Sequence, residues 1–483
     1  MTFEIVFVLL SLLGMMAALI ADKMRPGMVH FSVVVLFLCV GILTPKEMLE
    51  GFSNKGMITV ALLFLVSEGI RQSGTLGQVI KKLLPQGKTT VFKAQLRILP
   101  SVAFISAFLN NTPVVVIFAP IIKHWAKSVK LPVTKFLIPL SYVTILGGIC
   151  TLIGTSTNLV VHGMILEAGY EGFTMFELGK VGIFIAIAGI IYLFIFSKRL
   201  LPDARPDTAV PDEEVEEGEK LHRVEAVLGA RFPGINKKLS DFNFQRHYGA
   251  EVKEIKTRNG QRYVDHLEDV VLREGDTLVV MADDTFIPTW GESSVFVLLT
   301  NGNDPDTSGK KKRWLALILL VLMIVGATVG ELPATKEMFP DIKLDMFFFV
   351  CITTIIMAWT NIFPARKYTK YISWDILITI ACAFAISKAM VNSGVADCVA
   401  GFIIGLSDDY GPHVLLAILF VITNLFTELI TNNAAAALAF PLALSISAQL
   451  GVSPTPFFVV ICMAASASFS TPIGYQTNLI VQG

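Results

Sequence analysis

The chain has 483 residues, of which 53% are hydrophobic and 16% are charged, and its mean hydropathy is +0.65. This composition excludes an ordinary soluble domain, in which about a quarter of the residues carry charge. The 39 basic and 39 acidic residues cancel formally but are distributed unevenly, and residues 389–483 contain no Lys or Arg.

Apolar segments long enough to cross a bilayer recur along the chain. A spanning helix needs about 20 apolar residues, because each residue advances the helix by about 1.5 Å. The first segment lacks a basic start and a small-residue cleavage site, so we interpret it as a retained helix and not a signal peptide. The pattern predicts an α-helical polytopic membrane protein. The segments are residues 3–21, 28–43, 57–70, 181–196, 314–329, 346–361 and 374–390.

Two polar interruptions lie within apolar sequence of the first half. Asn110, Asn111 and Thr112 form the first, and the motif Gly-Thr-Ser-Thr-Asn at 154–158 interrupts the helix predicted over 136–165. Unpaired backbone in lipid costs several kcal/mol per group, so such breaks persist only where protein or a polar cavity satisfies them. The first interruption predicts the tip of a re-entrant hairpin, and the second predicts a discontinuous helix.

A polar island separates two membrane halves. Its acidic, Pro-containing start has almost no apolar residues, and short β-type runs follow. Asn259-Gly260 suits a two-residue hairpin turn. We therefore predict a first membrane repeat (1–200), an acidic linker (201–223), a small soluble α/β domain (224–300), a basic linker (301–313) and a second membrane repeat (314–483).

The island resembles the TrkA-C module, a ligand-sensing half-domain attached to ion channels and transporters. The resemblance is carried by Leu239, Phe242, the pair Tyr248-Gly249 and the run Gly275-Asp276-Thr277-Leu278. It implies a regulatory, dimer-forming domain, with a small nucleotide-like molecule as its regulator and a homodimer as the assembly. A passive spacer is the alternative.

The second half repeats the motifs of the first. Residues 153–163 and 473–483 are identical at seven of eleven positions, at an offset of 320. Asn111 aligns with Asn432 at an offset of 321, within hairpins of similar sequence. Two motifs in the same order and at nearly constant spacing indicate a duplicated unit. The copy of the final helix at 181–196 is expected but is absent before Gly483.

Charge predicts the orientation of the two copies. With the basic loops inside, as the positive-inside rule requires, the N-terminus lies outside and the island is cytoplasmic. The first hairpin then enters from the inside, and the second, at 414–447, enters from the outside, where Lys and Arg are missing. The prediction is therefore two inverted repeats in the cell (inner) membrane.

The four polar breaks define a chemical inventory. They offer amides, hydroxyls, freed carbonyls and helix N-termini, but no Arg, Lys, Asp or Glu. This set suits a small anion held by N–H groups, beside alkali cations held by oxygens. Bound Na⁺ supplies the countercharge that a dianion needs. The alternative is that Asn and Thr only cap helix breaks and join helices.

The tips Asn-Asn-Thr and Thr-Asn-Asn, each followed by a Gly-x-x-x-Asn break, resemble the divalent-anion:sodium symporter family. The resemblance implies a sodium-coupled secondary active transporter that imports a divalent anion by alternating access, with about two Na⁺ sites. It implies that the substrate contacts Asn110, Asn111, Thr112, Thr431, Asn432 and Asn433, and we add Thr157, Asn158, Thr477 and Asn478 from the breaks. Sodium would be framed by Ser106, Asn110, Asn111 and Gly154, and by Thr427, Thr431, Asn432 and Gly474.

The sequence also departs from that family, whose tips read Ser-Asn-Thr and whose dicarboxylate carriers have Thr-Pro-Pro-Asn breaks. With the inserted module, the pattern resembles the sulfate-type branch, so sulfate is the first expectation and a C4 dicarboxylate the second. A channel regulated by the TrkA-C-like domain is a further alternative. No Ser/His/Asp, His-Glu-x-x-His or paired-carboxylate motif indicates an enzyme, and we expect neither a transition metal nor a nucleic-acid partner.

Three single residues carry separate predictions. Glu428, one turn before the second tip, is expected to be a buried hydrogen-bonding group, with a proton or cation site as the alternative. Its counterpart in the first repeat is Ala107. Glu68 is expected to be structural, and His162 is expected to pack within its helix, with a role in substrate binding as the alternative.

Overall fold

A computed structural model of the chain provides the fold. Helices account for both apolar halves, and a small β-sheet lies between them in the chain. The structure describes residues 3–202, 222–300, 310–405, 411–471 and 475–482, apart from positions 22, 86, 88, 230, 231, 258–260, 266, 283–285, 287–289, 291–294 and 340.

The regular structure described in the first half is helical. Its longest helix, α10, ends where Lys198 and Arg199 meet the favourable negative end of the helix dipole. The helices are α1 (Phe3–Ile20), α2 (Pro26–Val40), α3 (Pro45–Glu50), α4 (Lys55–Gln72), α5 (Thr75–Leu83), α6 (Val91–Ser106), α7 (Asn111–Ser128), α8 (Thr134–Gly148), α9 (Ser156–Glu167) and α10 (Gly179–Leu200).

The polar island contains an antiparallel sheet with the strand order β3-β2-β4-β1-β5. Phe232, Phe242, Phe244, Tyr248 and Phe296 are buried together in its own core. The predicted turn Asn259-Gly260 lies outside the described residues. The elements are β1 (His222–Leu228), α11 (Phe244–Tyr248), β2 (Glu251–Lys256), β3 (Arg262–Tyr263), β4 (Thr277–Ala282) and β5 (Phe296–Thr300).

The second half is again helical. Helix α12 begins at Lys310, inside the basic linker predicted at 301–313, because Lys and Arg are good helix formers and extend the apolar helix. The helices are α12 (Lys310–Gly330), α13 (Pro333–Met338), α14 (Met346–Trp359), α15 (Tyr368–Tyr371), α16 (Trp374–Asn392), α17 (Val395–Gly405), α18 (Pro412–Leu429), α19 (Asn432–Leu450), α20 (Thr455–Ser466) and α21 (Gln476–Gln482).

Seven helices in the described part of the chain are long and apolar enough to span a membrane. Several present large apolar side chains outward, such as Phe184, which is 73% exposed. Such surfaces are stable against lipid but not against water. The expectation of a polytopic helical membrane protein is confirmed. The spans are Phe3–Ile20, Pro45–Gln72 (α3 and α4 counted together), Gly179–Leu200, Lys311–Gly330, Trp374–Asn392, Pro412–Leu429 and Asn432–Leu450.

Four interruptions fall where the polar motifs predict them. The first hairpin breaks between α6 and α7, and the second between α18 and α19. The crossing helix breaks between α8 and α9, and a second break separates α20 from α21. In the first crossing break, a Cβ added at Gly154 would lie 2.4 Å from Gly148 O, so this close approach requires glycine.

The two halves contact each other reciprocally. Helix α2 packs on α16, and α4 packs on α14. An ion pair joins Lys55, at the start of α4, to Asp345, which caps α14. At the positions 320 residues away, Asp375 accepts the Gly27 N–H at 3.2 Å and interacts electrostatically with Arg25. The equivalent positions therefore carry exchanged charges on the two sides of the contact between the halves.

The β-sheet region touches α7 through Glu225 of β1. Its carboxylate lies 3.1 Å from Lys123 Nζ of α7 and 3.5 Å from Lys256 Nζ of β2. Burial opposes ionisation of Glu225, but Lys123 and Lys256 outweigh it and lower its pKa to about 2. The β-sheet region is thus joined by charge to the helix that carries the first hairpin tip.

Candidate functional site

Helix N-termini meet at the four breaks. Helices α7, α9 and α19 begin at Asn111, Ser156 and Asn432, and no side chain caps any of the three. Helix α21 begins beside them at Gln476. Uncapped first-turn N–H groups and the positive ends of helix dipoles favour an anion.

Hydrogen bonds between the halves bring the tips and the breaks together. Thr112 Oγ1 of the first tip donates to Gln476 Oε1 of the second break at 3.3 Å. Asn433 Oδ1 of the second tip accepts from Ser156 Oγ at 3.2 Å and from Thr157 Oγ1 at 3.3 Å in the first break. Each tip therefore contacts the break of the opposite half, and the pairing is reciprocal.

A cluster of oxygens surrounds the side chain of Asn111. One end of its amide lies 2.8 Å from Ser106 Oγ, 3.0 Å from Thr144 O and 3.3 Å from Gly154 O, and the other end lies 2.6 Å from Tyr475 OH. Ser106 has one proton for two neighbours, because Thr144 O is also 2.8 Å from its Oγ. When the amide oxygen faces this cluster, four oxygens share one proton. Such a donor set fits a hard cation.

The second hairpin repeats this cluster. Thr427 Oγ1 lies 2.8 Å from Asn432 Oδ1 and 2.6 Å from Ala465 O, and again has a single proton for both. Thr427, Asn432 and Ala465 lie 321 residues after their first-half equivalents. Gly474, predicted to complete this site, lies outside the described residues.

Other predicted site residues line the same region. Asn110 lines a narrow, mostly apolar cleft together with Ser67 and with Ser156, which was not itself a predicted site residue. The hydroxyl oxygens of Thr431 and Thr477 are buried, and neither has a hydrogen-bond partner among the described residues. A buried hydroxyl without a partner costs free energy unless a ligand or water satisfies it.

Asn158 and Asn478 contact their own breaks. Asn158 Nδ2 donates to Thr151 O at 2.8 Å, and Asn478 Nδ2 donates to Thr471 O at 3.3 Å. Asn478 Oδ1 also accepts from Ser141 Oγ at 2.7 Å. These amides hold the irregular backbone, which in a membrane needs such partners.

The three residues with separate predictions have defined contacts. The Glu428 carboxylate, which is half-buried, accepts the backbone N–H groups of residues 469, 470 and 471 at 2.8–3.0 Å, which confirms a hydrogen-bonding role. Glu68 pairs with Arg71 at 2.6 Å, and its structural role stays a prediction. His162 is half-buried and lies against Gly172.

Sequence reasoning missed Tyr475 and Thr155. Tyr475 is 9% exposed, and its hydroxyl lies 2.6 Å from the Asn111 amide and 3.1 Å from Thr155 Oγ1. The alignment at an offset of 320 already paired these two residues as equivalents. The alignment gave no sign that Thr155 and Tyr475 are in contact, because they come from different halves of the chain and meet only in the folded protein.

Comparisons with known proteins give one family and several relatives. The family model for citrate transporters, CitMHS, matches residues 16–445 and 341–483. The uncharacterized transporter sll0640 of Synechocystis is 28% identical over 93% of this chain and 87% of its own length. The putative sulfur deprivation response regulator of Chlamydomonas reinhardtii is 27% identical over 94% of this chain and 92% of its own. Sodium/sulfate cotransporter 1 of the same alga is 32% identical over 56% of this chain and 30% of its own.

The apolar spans and the polar breaks that meet between them define a multi-pass membrane transporter, not an enzyme. The matched residues cover most of the chain. The protein belongs to the citrate transporter family CitMHS. The sodium/sulfate cotransporters among its relatives support the expected likeness to divalent-anion symporters.

Proposed function

We propose that this protein is a sodium-coupled secondary active transporter that imports a divalent anion, with sulfate as the first candidate. The observation that carries this proposal is the pair of proton-poor oxygen clusters at Asn111 and Asn432, beside the uncapped N-termini of helices α7 and α19. Cations and an anion would then be held next to each other, so that the binding of one favours the other.

The proposed sodium sites use oxygens of the tips and the breaks. Ser106, Asn111 and Gly154 would hold the first ion, together with Thr144 O, which the sequence did not predict. Thr427, Asn432 and Gly474 would hold the second, together with Ala465 O. Asn110 and Thr431 remain proposed ligands through their positions as N-caps of α7 and α19.

The anion is proposed to lie between the two tips. The buried hydroxyls of Thr431 and Thr477 lack hydrogen-bond partners among the described residues and could bond to the anion. Asn110 lines the adjoining cleft. Thr112, Asn433 and Thr157 would exchange their present bonds between the halves for bonds to the substrate. Asn158 and Asn478 support the site more indirectly, through the backbone of the breaks.

Sulfate ranks above a C4 dicarboxylate for two reasons. The breaks lack the prolines of the dicarboxylate pattern, and full-length or partial relatives carry names that refer to sulfur or sulfate. The family model, which is named for citrate, is the observation that keeps a carboxylate substrate as the second candidate.

Alternating access is proposed to come from two inverted repeats. Matched pairs of bonds support the duplication: Ser106 with Thr427, and Asn158 with Asn478, make equivalent contacts at offsets of 321 and 320. The absence of Lys and Arg from residues 389–483 supports the opposite orientation of the second copy. In the proposed topology, the N-terminus lies outside and the soluble domain lies in the cytoplasm.

The soluble domain is proposed to regulate transport as a TrkA-C-like module. Phe242 and Tyr248 of the resemblance lie in its core, and Gly249 and Gly275 adopt positive φ angles that favour glycine. Its ion pair with Lys123 of α7 is a direct route to the first hairpin. A nucleotide-like ligand and a homodimer remain part of this proposal.

Uptake of radiolabelled sulfate into proteoliposomes tests the function. We expect uptake driven by an inward Na⁺ gradient and competed by thiosulfate or molybdate. Uptake that is unchanged when choline replaces Na⁺ contradicts sodium coupling and leaves H⁺ as the coupling ion. Uptake of succinate without sulfate reverses the order of the two substrates.

A further inference from the structure

Tyr475 contacts the proposed first sodium site from the opposite half of the chain. Its hydroxyl lies 2.6 Å from the Asn111 amide, although 364 residues separate the two. It also lies 3.1 Å from Thr155 Oγ1, where either oxygen can donate. The position equivalent to Tyr475 in the first repeat is Thr155, so the Asn432 amide has no tyrosine at the corresponding position.

Tyr475 OH can bond to the Asn111 amide in either orientation, but without a cation only the orientation with the nitrogen toward the oxygen cluster is satisfied, because the amide oxygen would otherwise face Thr144 O and Gly154 O. With the nitrogen toward the oxygen cluster, it donates to Ser106 Oγ, Thr144 O and Gly154 O, and the amide oxygen accepts from Tyr475 OH. With the oxygen toward the cluster, the nitrogen donates to Tyr475 OH. Only the second orientation offers the cluster a fourth oxygen for a cation.

We propose that Tyr475 is a positioning residue that sets the sodium affinity of the first site by accepting a hydrogen bond from the Asn111 amide. A phenol hydroxyl both donates and accepts. When Asn111 turns its oxygen to the cation, Tyr475 accepts from the amide nitrogen and donates to Thr155. When the cation leaves, the chain of hydrogen bonds reverses. This inference rests on the proposed function.

The cost of losing the hydroxyl falls mainly on the sodium-bound form. Without Tyr475 OH, that form leaves the buried Asn111 N–H without an acceptor, and an orphaned buried N–H is rare in proteins. In the sodium-free form, the Asn111 amide oxygen loses the hydrogen bond that it accepts from Tyr475 OH. A carbonyl-type oxygen without a donor is less unfavourable than a buried N–H without an acceptor. Removing the hydroxyl therefore weakens sodium binding more than it disturbs the empty site.

Tyr475→Phe tests this role, because it removes the hydroxyl and keeps the ring. We expect the Na⁺ concentration for half-maximal sulfate uptake to rise about tenfold, from the loss of one buried hydrogen bond. Maximal uptake and the KM for sulfate at saturating Na⁺ are expected to stay near the wild-type values. Tyr192→Phe, at a half-exposed tyrosine of α10, is the matched control and is expected to keep the wild-type Na⁺ dependence.

Thr155→Val provides a second, independent test at the other end of the hydrogen-bond chain. It deprives the Tyr475 proton of its acceptor in the sodium-bound form, so we expect a shift in the same direction that is smaller. Stabilisation of the purified variants against heat by NaCl, relative to choline chloride, gives the same comparison without transport. It also applies to a variant that is poorly active in vesicles.

The outcomes separate the inference from the proposed function. A wild-type protein with no Na⁺ dependence in uptake or in thermal stability contradicts both. Wild-type dependence that Tyr475→Phe and Thr155→Val leave unchanged contradicts the role of Tyr475 alone. Equal loss of uptake at every Na⁺ concentration, with unchanged stabilisation by Na⁺, also overturns it, because that result indicates general damage.

Discussion

The contact between Glu225 and Lys123 gives a prediction whose size follows from the structure. The pKa of Glu225 falls from its usual 4.5 to about 2, which corresponds to about 3 kcal/mol in favour of the ionised carboxylate. Both side chains are 26% exposed, so solvent screening reduces this, and Lys256 accounts for part of it. We expect a coupling of about 1–2 kcal/mol between Glu225 and Lys123 alone.

A double-mutant cycle of Glu225→Gln and Lys123→Met, read from thermal unfolding in detergent, measures this coupling. The matched control is the pair Glu251 and Lys253, at 2.8 Å but more than half exposed, where we expect a coupling near zero. Additive effects at Glu225 and Lys123 would refute an ion pair between the β-sheet region and α7.

The pH dependence of the same variants has a definite sign. Because the pKa of Glu225 is lowered on folding, its contribution to stability is present above pH 4.5 and is lost as the pH falls towards 2. The difference in stability between the wild type and Glu225→Gln is therefore expected to be constant from pH 8 to about pH 5 and to shrink below that. A difference that disappears near neutral pH would contradict the assigned pKa.

Three further predictions concern the site. Asn111→Ala and Asn432→Ala are each expected to abolish uptake at normal expression, and near-normal uptake in both would reject the proposed cation sites. Gly148→Ala places a Cβ 2.4 Å from the Asn111 amide, so uptake should fall at least tenfold, whereas Gly405→Ala, with open space around it, should match the wild type. Glu428→Ala removes the acceptor of three backbone N–H groups, of which one is exposed and can bond to water, and should destabilise the protein by about 1–3 kcal/mol, measured by thermal unfolding; an unchanged melting temperature would reject this role.

The breaks could be predicted from the sequence because polar residues are unusual within membrane-spanning apolar segments. Polar residues such as Asn111 and Thr431 interrupt apolar runs, and in a membrane every interruption needs a partner. The repeated spacing then paired the breaks without any knowledge of the fold. The structure adds bonds that agree with this pairing atom by atom, as at Ser106 and Thr427.

The contacts between the two halves could not be predicted from the sequence. Tyr475 bonds to Asn111 across 364 residues, and no local periodicity encodes which tip faces which break. Lys55 and Asp345 illustrate the same limit, because their equivalents carry the opposite charges and so score as mismatches in a comparison of the repeats. Reciprocal packing of the two halves is a property of the assembled helices, and only the fold reveals it.

The two halves differ in how their breaks are stabilised. The second break is braced within its own half, where Glu428 accepts three backbone N–H groups. The first half has Ala107 at that position, and its site is instead braced by Tyr475, which the second half contributes. If the proposed alternating access moves the two halves relative to one another, the Asn111 cluster loses or regains its contact with Tyr475, while the contacts of Glu428 within the second half persist. The two proposed cation sites would then differ in how strongly their affinity depends on the state of the transporter, although their oxygens are nearly the same.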